Sequence, residues 1–169
     1  MIILGIDPGS TIVGYGVIKK QKSQNQNKRF KVLDFGCIIA EQILPTGERL
    51  KKVHKEILKL IDKYKPNLVS VESLFFFKNL KTAMPVSQTR GVILLAAAQK
   101  KIPICEFTPL QVKMTVVGYG RAEKKQVQKM TKEILDLGKF DLKKNNRKKD
   151  DASDALGVAI CAALRNPLY

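Results

Sequence analysis

Four acidic side chains stand where a carboxylate is costly to leave unpartnered. Asp7 closes the apolar run Ile2-Ile3-Leu4-Gly5-Ile6, and Glu72 closes Leu68-Val69-Ser70-Val71. Asp151 and Asp154 lie three apart, a spacing that puts both on nearly the same face of a helix. A desolvated carboxylate needs a cation or donors to meet it, and several held close together repel one another. Hard divalent cations such as Mg²⁺ or Mn²⁺ relieve that repulsion, because they take oxygen ligands and need only a few from the protein. Cations held there would accept phosphate oxygens and lower the pKa of a water. The pattern therefore points to metal-assisted chemistry at a phosphate. Each acid also has an ordinary reading: Asp7 as a turn residue before Pro8-Gly9-Ser10, Glu72 as a solvated strand end, and Asp150 and Asp151 as helix N-terminal acids favoured by the dipole. Cys37, Cys105 and Cys161 are far apart, form no Cys-x-x-Cys pair and read as reduced core residues. The single histidine, His54, lies in a Lys-rich helical stretch and reads as a surface residue.

The elements that must position these acids follow from periodicity. The run before Asp7 reads as a strand buried on both faces. Asp7-Pro8-Gly9-Ser10 turns the chain, and a second strand leaves from Gly14 to Lys20. The polar stretch Gln21 to Arg29 separates it from a third strand over Phe30 to Ala40, with Gly36 as a candidate bulge. Thr46 is placed to cap a helix that carries Leu50, Val53, Ile57, Leu60, Ile61 and Tyr64 at three- and four-residue spacing. Leu68 to Glu72, reached through that helix, should run parallel to its neighbour by a right-handed crossover. Leu74 to Lys81 reads as a loop. A helix from about Met84 to Gln99 follows, with Pro85 in its first turn and an apolar centre suited to burial on two sides. Ile102 to Phe107 reads as a fifth strand, Pro109 to Val116 as a short helix and Ala122 to Leu137 as an amphipathic one. After the basic connector Gly138 to Lys149, a last helix opens at Asp150 or Asp151. These elements predict one α/β domain over residues 1–169, with a five-stranded mixed sheet and helices on both faces; by analogy, that order resembles a ribonuclease H-like fold. Strands one and four as neighbours would bring Asp7 and Glu72 to one sheet edge, and the last helix would aim Asp154 and Asp151 at it.

The charge balance points to the partner. Against 15 Asp+Glu stand 31 Lys+Arg, a formal net charge of +16, and such an excess favours a polyanion. The longest apolar run, Val92 to Ala98, is far too short to span a bilayer. A cytoplasmic protein acting away from membranes is expected.

Taken in register, these motifs carry a resemblance. Ile6-Asp7-Pro8-Gly9-Ser10 with Gly14-Tyr15-Gly16, Val71-Glu72, Val112-Lys113, Thr115-Val116-Val117-Gly118, Ala122-Glu123-Lys124 and Asp151-Ala152-Ser153-Asp154-Ala155-Leu156 together resemble the RuvC family of Holliday-junction resolvases. The match runs in order over essentially the whole chain. The hairpin alone also resembles the phosphate loop of actin-like ATPases, but that architecture needs two such domains. The resemblance implies a homodimeric, Mg²⁺-dependent endodeoxyribonuclease of recombination and DNA repair. It would nick two strands of a four-way junction symmetrically, leave 5′-phosphate and 3′-hydroxyl ends, and act with the RuvA–RuvB branch-migration complex. The family's acidic tetrad maps onto Asp7, Glu72, Asp151 and Asp154. Two departures are visible: Asp150-Asp151 doubles the first acid of the last motif, and Ser73 stands where a Gln commonly follows the family's Glu.

On this reading two Mg²⁺ ions, with Mn²⁺ able to substitute, bridge the acids and the scissile phosphate, one activating the attacking water and the other stabilising the departing 3′ oxygen. Lys113 and Lys124 are candidates for contacting that phosphate, against the plainer reading as solvated cations. Phe75, Phe76 and Phe77 cannot all share one face. Phe75 matches the family motif and is the candidate to stack on a splayed base. Lys78, Arg121, Arg147 and Lys148 complete the candidate DNA contacts. Two other classes fit parts of the sequence: a non-catalytic basic DNA-binding module, and a generic ribonuclease H-like nuclease. Metal-dependent cleavage separates the first, and a preference for junctions over duplex separates the second.

Overall fold

The computed structural model describes residues 1–21, 29–73, 80–137 and 149–165. Five strands, β1 (Ile2–Asp7), β2 (Ile12–Lys20), β3 (Phe30–Ile39), β4 (Leu68–Glu72) and β5 (Ile104–Phe107), form one sheet in the order β3-β2-β1-β4-β5. The first three are an antiparallel meander, as short connections require. β4 and β5 arrive through helices and run parallel to β1 and to each other. The mixed sheet is the expected one.

Alternation along the central strands assigns the two faces. Leu4, Ile6, Val13, Val17, Val69 and Val71 pack with α1 (Thr46–Tyr64) and α2 (Leu80–Gln99). Ile3, Ile18 and Leu68 pack on the other side, beneath α3 (Pro109–Val116), α4 (Lys124–Ile134) and α5 (Lys149–Arg165). Period two then places Asp7 in line with Ile3 and Gly5, and Glu72 in line with Leu68 and Ser70, on the α5 side. Ser70 Oγ donates to the Val158 carbonyl at 3.2 Å, tying β4 to that helix. α5 is buried continuously from Ala155 to Ala163 because the sheet, α3 and α4 surround it. That is why its sequence is apolar nearly all round after the first turn.

Several local expectations are corrected. The residue preceding α1 is Pro45, whose preset φ of −54° starts the helix without any side-chain cap, so Thr46 is the first helical residue. α2 begins at Leu80, which puts Pro85 inside the helix instead of its first turn. The missing N–H there leaves the residue-81 carbonyl without its usual helical donor. The irregularity between β2 and β3 falls at Leu33, where the partners step from Val17–Asp34 to Ile18–Val32. Gly36 is regularly paired, and the Tyr15 ring covers it. β5 starts at Ile104, α4 spans only Lys124–Ile134, and α5 starts at Lys149. His54 lies at the surface, with Nε2 2.8 Å from Gln99 Oε1, linking α1 to α2. Cys161 is buried against Thr115 Oγ1, and Cys37 and Cys105 are half-buried.

Candidate active site

The parallel ladder pairs Gly5 with Ser70 and Ile6 with Val71. One residue further, at the C-terminal edge of both strands, Asp7 and Glu72 come side by side, near enough for the Glu72 charge to raise Asp7. The first turn of α5 lies over this edge. Carboxylate oxygens of Asp7, Asp151 and Asp154 all fall within 4.8 Å of one another. Asp150, one residue earlier, is exposed, so the doubled acid resolves in favour of Asp151 as the member of the cluster. All four sequence-predicted acids therefore meet.

The cluster is electrostatically frustrated. Burial, then the charges of Glu72 and Asp154, push Asp7 up to about 8. Burial likewise raises Glu72 and Asp154 above the usual carboxylate range. Lysines relieve part of this. Lys124 Nζ lies 2.8 Å from Asp154 Oδ2, and burial, which lowers its own pKa, is outweighed by that partner and by Asp150 and Asp151. A lysine in the first turn of a helix opposes the helix dipole. Lys124 occupies that position on α4, where the ion pair to Asp154 offsets the cost. Lys113, on α3, lines the same cleft with Glu72, Lys124 and Asp154.

The two lysine-bearing helices start from defined caps. Thr108 and Gln111 form a capping box for α3, and Glu123 and Gln126 do the same for α4. Arg121 is exposed in the turn between these helices. Phe75, Lys78, Arg147 and Lys148 lie outside the described residues. Sequence reasoning gave no role to Gly5, on which α5 rests: a Cβ there would lie 2.3 Å from the Ala155 carbonyl oxygen. The available signal was a glycine inside a strand that reads as buried, a mark of close backbone approach.

An oxygen-only donor set that repels itself and resists ionisation suits a hard divalent cation. The residues present fit such an ion: three carboxylates converge within ligating range, and a fourth, Glu72, lies near enough to act on Asp7.

Comparison with known proteins bears on what this arrangement does. A family model described as crossover junction endodeoxyribonuclease RuvC matches residues 3–162. The crossover junction endodeoxyribonuclease RuvC of Alkaliphilus oremlandii is 50% identical over 163 residues, covering 96% of this chain and 93% of the relative. That of Halothermothrix orenii is 48% identical over 161 residues, covering 95% and 91%. Among solved structures, T. thermophilus RuvC in complex with Holliday junction substrate superposes with a TM-score of 0.83 at 30% identity, covering 96% of this chain and 93% of that one. The yeast mitochondrial Holliday junction resolvase Ydc2, at 14% identity and a TM-score of 0.65, covers 94% and 77% and shares the fold.

Proposed function

The chain belongs to the RuvC family of crossover junction endodeoxyribonucleases, and from that membership we propose that it resolves Holliday junctions in recombination and repair by Mg²⁺-dependent nicking of two strands. The observation that carries this reading is the meeting of Asp7, Glu72, Asp151 and Asp154 at one sheet edge in a chain of net charge +16. Asp7, Asp151, Asp154 and Glu72 would hold two Mg²⁺ ions, or Mn²⁺ in their place. Ions held there supply a Lewis acid for the phosphate and a water of lowered pKa.

This chain's own residues do the rest. The acids must lose their remaining protons to serve as ligands, and their places on β1, β4 and α5 set where a phosphate would lie. Lys124, 2.8 Å from Asp154, and Lys113 in the same cleft offer ammonium groups to the charge that develops on the phosphate oxygens. Hydrolysis with departure of the 3′ oxygen leaves 5′-phosphate and 3′-hydroxyl ends. Arg121, Arg147 and Lys148, with Lys78, track the DNA backbone, and Phe75 stacks on an unpaired base.

Paired nicking needs two sites, and α2 supports a homodimer. Met84, Gln88, Gly91, Leu95 and Ala98 are all exposed, at alternating four- and three-residue steps, the spacing of a helix–helix seam. Met84 is 71% and Leu95 52% exposed, and a Cβ at Gly91 would meet nothing within 4 Å, so a second copy of α2 can approach closely. The family resemblance supports action alongside RuvA–RuvB. No helix among the described residues is long and apolar enough to cross a membrane, and we place the protein in the cytoplasm with its DNA.

A supercoiled plasmid carrying an extruded cruciform tests the proposal. Paired nicks in one binding event convert it directly to linear product whose junction-derived ends DNA ligase seals. Relaxed circles as the only product, or ends that resist ligation, contradict it.

A further inference from the structure

We propose that Gly14 is a positioning residue for the acid cluster, acting through the backbone of Asp151. The inference rests on the metal-dependent reading of that cluster. Gly14 is buried in β2, directly opposite Asp7 in the β1–β2 register. On its other side lies the first turn of α5. A Cβ at Gly14 would sit 2.1 Å from the Asp151 carbonyl oxygen and 2.5 Å from its carbonyl carbon. These are backbone atoms of a packed helix and have no rotamer by which to move aside.

Backbone conformation does not explain the glycine. Gly118 is the glycine with positive φ among the described residues, and Gly14 is not in that region, so an L-residue could adopt its strand conformation. A glycine inside a strand lowers stability relative to a residue with a side chain. What it permits is the close approach of the peptide that carries Asp151 to the strand residue paired with Asp7. Restoring ordinary contact from 2.1 Å to at least 3.4 Å would lift the start of α5 by more than an ångström, and a catalytic constellation tolerates about 0.5 Å. The methyl missing at Gly14 therefore sets how close the Asp151 peptide comes to Asp7, while Gly5 admits the helix further along, at Ala155 and Ala159.

Gly16 provides the contrast. It lies on the same strand under the same helix, but its Cβ would meet the Leu156 side chain first, with Cδ2 at 2.6 Å and Cγ at 2.8 Å, and the helix backbone no nearer than Leu156 Cα at 3.1 Å. Leu156 is more than a turn beyond Asp151. Gly16→Ala should cost packing there and leave the acids in place.

The test measures Mn²⁺ binding without DNA, by the loss of free Mn²⁺ signal in electron paramagnetic resonance, for the wild-type full chain, Gly14→Ala and Gly16→Ala. Melting temperature, junction binding and the Mg²⁺ dependence of cleavage are measured in parallel. Gly14→Ala should bind Mn²⁺ at least about 10-fold more weakly, the range typical when support for a metal ligand is lost, with a matching rise in the Mg²⁺ needed for half-maximal cleavage and junction binding within about twofold. Gly16→Ala should melt lower and bind Mn²⁺ as the wild type does. Trimethylamine N-oxide, which favours the buried state, keeps a marginal variant folded. Unchanged Mn²⁺ binding in Gly14→Ala overturns the proposal. So do equal losses in both variants, or a Gly14→Ala chain that stays unfolded in the osmolyte, since the glycine would then serve the fold as a whole. A wild-type chain that binds no Mn²⁺ overturns instead the metal reading on which the proposal rests.

Discussion

Asp7 keeps its proton to about pH 8 because burial, then Glu72 and Asp154, disfavour its charged form. In the unfolded chain the same proton leaves near the ordinary aspartate value of 3.8. Between these values the folded state binds more protons, so metal-free stability falls as pH rises through the window. Glu72 and Asp154 are raised too and act with the same sign. The melting temperature in EDTA should therefore drop between pH 4.5 and 8 more steeply for the wild type than for Asp7→Asn, and identical slopes would remove Asp7 from the account. A cation must displace that proton, so the Mg²⁺ needed for half-maximal cleavage should fall as pH rises through 8. Lys124 makes a different prediction. Lys124→Met removes a positioned charge, so single-turnover cleavage should fall about 100-fold. Junction binding should change little, because one phosphate contact among many is lost. Equal losses in rate and binding would reduce Lys124 to a solvated phosphate contact.

Elements decide which of these residues meet, and here the sequence was legible to different depths. Apolar runs ending in Asp7 and Glu72 could be read as strands, and the pairing of β1 with β4 brings both acids to one sheet edge. The three-residue spacing of Asp151 and Asp154 placed both on one side of α5. Helix starts were harder to read: Thr46 is a good cap by type, yet Pro45 takes the cap position and Thr46 is the first residue of α1, and a proline expected in a first turn lies well inside α2. The cap preference is worth only about 1 kcal/mol, whereas a proline inside a helix costs about 3 kcal/mol through its missing N–H and its ring's clash. The choice between Asp150 and Asp151 was not legible either, since it depends on how α5 is rotated over the sheet. The exposed seam on α2 carries its own prediction. Leu95→Glu should convert a dimer to a monomer by light scattering, with the melting temperature of the monomeric domain kept, because Leu95 is half exposed in the single chain. A Leu95→Glu protein that stays dimeric would move the interface off α2.

At the scale of the whole molecule, four of the 15 acids meet at one sheet edge in a chain that is otherwise strongly basic. Only the first half of that statement needed a fold; the net charge of +16 is plain from composition. That charge predicts strongly salt-dependent binding: a protein touching six or more phosphates loses about 10³-fold in affinity between 50 and 200 mM salt. A shallow dependence would mean that the surface cations do not follow the DNA. The most direct measurement uses an end-labelled synthetic four-way junction incubated with wild-type protein or Asp7→Asn, with and without Mg²⁺, and reads bound complexes and nicked strands together. The account predicts symmetric nicks in two opposing strands that require Mg²⁺ and vanish in Asp7→Asn while junction binding is retained. Binding without nicks in either Mg²⁺ or Mn²⁺, or cleavage that survives Asp7→Asn, would contradict it.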